Sequence, residues 1–143
     1  MAITQAMATS FKVQLLNGQQ NFSANTFKLA LYTSSATLNE NTTAYTTSNE
    51  VPSTGNYSAG GNTLTVSVTP TNSGNVAYVS FANTSWANST ITAAGALIYN
   101  NSQSNAAVCV LNFGGDKTST NGTFAINFPN ADASNAIIRL TAS

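Results

Sequence analysis

Histidine is absent from this 143-residue chain, cysteine occurs once, and only four basic and four acidic residues carry charge. Each shortage excludes a chemistry. Without histidine there is no Ser-His-Asp relay. With no histidine and a single cysteine there is no ligand set for zinc. Cys109 has no partner for an internal disulfide, and in Ala107-Val-Cys-Val-Leu111 it reads as a small packed apolar residue. The carboxylates Glu40, Glu50, Asp116 and Asp132 are scattered, whereas a calcium site usually needs several together. Neither a cofactor nor an enzymatic activity is expected. The cations Lys12, Lys28, Lys117 and Arg139 are too few to neutralise a run of phosphates, so nucleic acid is not an expected partner. No apolar run approaches the ~18 residues of a membrane span, and no basic segment followed by an apolar one opens the chain. Neither a membrane partner nor a secretory signal is expected.

Serine, threonine and asparagine fill the space that charge leaves, at roughly two-fifths of all residues. Threonine suits strands, and Asn and Ser suit turns. The formal net charge is zero, which removes the repulsion that keeps copies of a protein apart and favours association. The length is enough for one core without covalent staples, so residues 1–143 read as a single domain.

Hydrophobic spacing divides the chain into one helix and about seven strands. Ile3, Met7, Phe11 and Leu15 recur every four residues, with Ala6 and Leu16 on the same side and Gly18 as a stop. That predicts an N-terminal helix over about 3–17. Its stripe either covers the domain's own sheet or docks on a partner subunit. From Thr26 the period becomes two, with Phe27, Leu29 and Leu31 on one face. Further strands are expected over residues 62–69 (ended by Pro70), 76–81, 90–99, 106–113, 123–128 and 136–141. Gly95 in the fourth of these seven marks a bulge or a close backbone approach. Residues 83–88, with the single tryptophan Trp86, and 114–122 read as loops. The pattern is mainly β, an antiparallel β-sandwich or partly closed barrel with one N-terminal α-helix.

Residues 39–61 are the unusual stretch, a polar excursion too long for a hairpin turn that ends in Gly55-Asn-Tyr-Ser-Ala-Gly-Gly61. Gly114-Gly-Asp-Lys-Thr118 lacks the spacing of a phosphate loop and leads to no helix. Tyr45, Tyr57 and Trp86 lie in or beside expected loops. There they would plug an end of the sandwich, stack on a sugar or anchor an interface. With the helical stripe, the candidate interaction surface is Ile3, Met7, Phe11, Tyr45, Tyr57 and Trp86.

Several segments taken together resemble a family of small proteins encoded by tailed bacteriophages. They are Ile3-Thr-Gln-Ala-Met-Ala-Thr-Ser-Phe-Lys12, residues 25–38, Thr43-Ala-Tyr-Thr-Thr-Ser-Asn-Glu-Val51 and the Gly55–Gly61 corner, followed by Gly95-Ala-Leu-Ile-Tyr-Asn100, residues 111–118 and Asn135-Ala-Ile-Ile-Arg139. The resemblance implies a virion protein assembled in the bacterial host cytoplasm. Its partners would be a major capsid protein or tail subunits, and it would be homo-oligomeric or multi-copy. The roles it implies are a capsid decoration (cement) protein or a tail-tube, adaptor or fibre-associated subunit. A glycan-binding β-sandwich is the reading from a different class. The family's Asp-Phe and Leu-Asp-Phe stand here as Asn21-Phe22 and Leu111-Asn112-Phe113. The resemblance therefore implies no cation held by those positions.

Overall fold

The structure is a computed structural model that describes residues 2–141; residues 1, 142 and 143 of the expected 1–143 domain lie outside the described residues. It is mainly β, with two antiparallel sheets and one short helix, and neither sheet closes into a barrel. In chain order the elements are β1 (Ala6–Met7), α1 (Thr9–Leu16), β2 (Phe27–Tyr32), β3 (Asn62–Thr63), β4 (Val66–Ser73), β5 (Val76–Phe81), β6 (Thr84–Asn100), β7 (Ala106–Ile126) and β8 (Ile138–Thr141). The larger sheet has the order β1-β7-β6-β2-β3 and the smaller one β4-β5-β8. Their inner faces share one apolar cluster. Phe27, Leu29, Leu31 and Ile98 come from the larger sheet, and Val79, Phe81 and Ile138 from the smaller.

The N-terminal stripe is only half helical. Phe11 sits on α1 and is fully buried, but Ile3 and Met7 belong to an extended arm. Ile3 bridges Leu38, and Met7 pairs with Cys109. A spacing of four residues is one turn of helix, but it is also an even number, which keeps two side chains on one face of a strand. The open backbone of β7 decides between these by pairing with Ala6 and Met7. Leu16, expected inward, is 90% exposed.

Two expected loops are strand. Residues 83–88 mostly belong to the start of β6, where Trp86 pairs with Phe124. The expected corner at residues 114–122 lies inside β7, so two predicted strands merge into one of 21 residues. The accommodation is local. Between Ala93↔Lys117 and Gly95↔Asn112 the β7 side carries extra residues, and Gly114 and Gly115 adopt φ of 78° and 143° there. These glycines let the chain bulge without ending the strand. Pro70 likewise does not stop β4. It lies between the shifted pairs Val68↔Ser80 and Thr71↔Tyr78, on an edge strand where its missing N–H is tolerated.

Gly95 is a close approach, as its position suggested. A Cβ there would lie 2.5 Å from the Leu111 carbonyl oxygen and 2.9 Å from Ile3 Cγ2.

Candidate functional site

Residues 39–61 do not hang free. They lie along the tip of the β6–β7 hairpin and beside β2. The Tyr45 N–H donates to Asn105 O (2.9 Å), and the Ala107 N–H to Thr43 O (2.9 Å). On the other side the Val51 N–H donates to Leu31 O (3.0 Å), and the Thr33 N–H to Asn49 O (3.0 Å). Backbone pairing with two strands thus replaces the apolar side chains that the excursion lacks.

Glu50 is the hub that closes it. Its Oε1 accepts the Tyr45 hydroxyl at 2.6 Å, and its Oε2 accepts the Tyr57 hydroxyl and the Gly60 N–H, both at 2.7 Å. Tyr57 also accepts the Leu31 N–H at 2.9 Å. The Tyr99 hydroxyl donates to Gly60 O at 2.7 Å, and its ring stacks on Tyr45 with centroids 4.7 Å apart. Tyr32 donates to Thr46 O at 2.5 Å. The local sequence permits this closure only because the corner is glycine. Gly61 has φ 74°, and a Cβ there would overlap the Leu29 carbonyl oxygen.

Burial, and then the neighbouring Glu50 charge, raise the phenol of Tyr99 to about 12. Desolvation leads in raising Tyr32, Tyr45 and Tyr57 above the ordinary phenol value as well, with Glu50 adding to each. The hydroxyls therefore stay protonated as donors, and both oxygens of the one carboxylate are committed to them. The arrangement holds a loop in place.

A second feature lies on the other side of the molecule. A groove of about 400 Å³ runs between the end of α1 and the smaller sheet, lined by Leu15, Phe22, Pro70, Val79, Ile138 and Leu140. Leu16 (90% exposed), Val13 (53%) and Leu140 (49%) are the large apolar residues left open to solvent among the described residues. Leu140 lines the groove, and Leu16 lies between the lining residues Leu15 and Gly18. Exposed apolar surface gathered around a concavity marks a contact site more often than isolated exposed side chains do.

The six candidate surface residues divide. Ile3, Met7 and Tyr45 are half-buried. Phe11, Tyr57 and Trp86 are buried in the chain's own interior, at 0%, 1% and 2% exposure. Tyr57 and Trp86 pack against each other with centroids 5.4 Å apart, and Trp86 meets Phe124 at 6.4 Å. They form core, not a platform, because strand formation at Thr84–Asn100 turns Trp86 inward. The reading from sequence missed Glu50 and the exposure of Leu16. The signal for Glu50 was present, as the one acid between Tyr45 and Tyr57 in a polar stretch. Among the described residues no cluster of three or more Cys, Asp or Glu could hold a metal ion, and no helix is long and apolar enough to cross a membrane.

Compared with family models, with curated proteins and with solved structures, the chain matches none.

Proposed function

We propose that this chain is a non-enzymatic structural protein of a bacteriophage virion, present in many copies as a capsid decoration protein that ties neighbouring shell subunits together. The observation that supports an assembly role is the apolar groove with exposed Leu140 in its lining, together with Leu16 and Val13 exposed on α1, the helix whose end forms one wall. Such a surface gains by being covered, at about 25 cal/mol for each Å² of apolar area removed from water. A chain of zero net charge meets no field opposing close packing with its neighbours. The placement in a phage particle, and on its head, rests on the family resemblance. A place in the tail would use the same surface. The glycan-binding reading loses its platform, because Tyr57 and Trp86 are interior.

Quantitative mass spectrometry of purified particles tests this. The expected result is a copy number comparable to that of the shell subunit. Absence from the particle, or only a few copies, overturns the decoration role. The variant Leu16→Lys places a charge on a side chain that touches little of its own fold. It is expected to melt within about 2 °C of the wild type, since exposed substitutions change stability little, and to be incorporated at least about tenfold less, the loss from roughly 1.4 kcal/mol of contact.

A further inference from the structure

The N-terminal arm, residues 2–7, is held differently from the rest of the chain. None of its side chains is buried. Its hydrogen-bonded and strand-paired partners among the described residues all come from residue 38 onward. On one side the Thr4 N–H donates to Leu38 O (2.8 Å), and the Leu38 N–H to Ala2 O (3.1 Å). On the other side Ala6 and Met7 pair with Val110 and Cys109 of β7. The Asn112 N–H donates to Gln5 Oε1 at 3.2 Å. Ile3 rests over Gly95, within 3.0 Å of where a Cβ would stand. The arm joins α1 at Ala8, a helix N-cap with no side-chain hydrogen bond. Swinging the arm about Met7–Ala8 therefore breaks no cap.

A slot built wholly from other segments accepts an identical arm from any copy of this chain. We propose that residues 2–7 are an exchangeable strand: in assembled copies, the arm of one fills the slot of its neighbour. The proposal rests on the multi-copy reading above and adds the device that links the copies. The contacts are the same whether the arm closes on its own chain or on another, so the hinge and the concentration set the balance. A tethered arm competes with an effective concentration of about millimolar. Dilute chains then keep their own arms, and packed copies exchange them. Six extended residues reach at most about 20 Å, which fixes how close the neighbour's slot must be. The chain beyond Asn112 fits the same scheme, because β7 has no second strand partner there among the described residues.

The lone cysteine supplies the reporter. Met7 stands directly opposite Cys109, and both line one surface pocket, so they share a face. The Ala8 N–H donates to Val108 O at 2.9 Å. Met7 and Cys109 are therefore the non-hydrogen-bonded kind of antiparallel pair, the closer of the two and the one within reach of a disulfide. Full-length Met7→Cys protein, an equal mixture of ¹⁴N- and ¹⁵N-labelled chains, is oxidised to completion with oxidised glutathione, over days because the buried Cys109 thiol reacts slowly, in assembled particles and at micromolar concentration in solution. Non-reducing electrophoresis and mass spectrometry then show which chains are joined. Exchange predicts interchain disulfides as the main species in particles, with about half of the joined pairs carrying both labels, and intrachain bonds in dilute solution. Intrachain bonds alone, in particles that carry the protein at its normal copy number, overturn exchange and leave the assembly role standing. If the protein is missing from particles the assembly role fails. Exchange is then decided in solution at millimolar concentration, where intrachain bonds alone refute it. Should Met7→Cys not fold, Ala6→Cys with Val110→Cys in a Cys109→Ala chain reads out the adjacent pair of the same register.

Discussion

Replacing Glu50 by alanine removes the acceptor for three donors at once, the Tyr45 and Tyr57 hydroxyls and the Gly60 N–H. Tyr57 is 1% exposed and Gly60 is buried, so water does not readily replace the lost acceptor there. Hydrogen bonds to a charged group contribute about 1.5–3 kcal/mol each, and a buried donor left unpaired costs about 1–3 kcal/mol. The three bonds share one carboxylate and do not add in full, so the expected loss for Glu50→Ala is about 3–5 kcal/mol. That is a large share of the 5–15 kcal/mol that keeps a domain folded. Glu50→Gln is milder. Its amide oxygen can accept from Tyr57 and Gly60, while its NH₂ faces a Tyr45 hydroxyl that is free to turn and accept. Only the charge is lost, at about 2 kcal/mol. Urea unfolding measures both, with the fluorescence of Trp86, the one tryptophan and 2% exposed, as the probe. Limited proteolysis under native conditions adds a local readout, with cleavage expected to concentrate within residues 39–61 in the alanine variant. A loss under about 1 kcal/mol for Glu50→Ala would show that the carboxylate is not the clasp. A glutamine variant as damaged as the alanine one would refute the ranking of hydrogen bonding over charge.

The raised phenols make a prediction about alkali. Tyr99 titrates near 12 in the fold, and Tyr32 and Tyr57 are also held above the ordinary value, by burial first. The native state keeps protons that the unfolded chain releases above about pH 10. Stability is therefore full below pH 10 and falls as the pH rises toward the folded values, by about 1.4 kcal/mol per pH unit for each tyrosine, or roughly 4 for these three. The urea midpoint should hold steady from pH 7 to 9 and drop steeply from about pH 10 to 12; a flat profile would contradict the burial of these hydroxyls. Gly61→Ala should destabilise by at least about 4 kcal/mol or abolish folding, since the new Cβ meets the Leu29 backbone. Gly18→Ala, with φ 73° but open space around it, should cost only about 1 kcal/mol, and equal melting temperatures for the two would count against the packing at Gly61. Burial pushes the Cys109 thiol up to about 12, so alkylation at pH 8 should be slow and should follow unfolding; rapid labelling of the native protein would refute it.

Much of the architecture was legible along the chain. Phe27–Tyr32 and Val76–Phe81 are strands because their alternating or β-branched residues match a pleated, buried surface wherever they are placed. The close approach at Gly95 was legible for a similar reason, as a glycine inside an apolar strand pattern has few other uses. The arm was not. Ile3 and Met7 satisfy a helix and a strand equally, and only the vacant edge of β7 selects the strand. Nor was the length of β7 legible, because Gly114 and Gly115 allow a turn or a bulge alike and β6 continues beside them.

The composition by itself determined the kind of protein this is: a β-rich chain of very low charge whose polar surface is Ser, Thr and Asn, with no histidine and one cysteine. These are properties of residue types, and folding does not change them. Tertiary structure alone decided where the few special residues act. It drew Trp86 into the core because β6 turns it inward, and Tyr57 because its hydroxyl bonds Glu50 and the Leu31 N–H while its ring packs on Trp86. It turned Leu16 outward, because in α1 it stands five residues, about 140° of helical turn, from the buried Phe11. It also made Glu50 the clasp of residues 39–61, by bringing together Tyr45, Tyr57 and Gly60 around a single carboxylate.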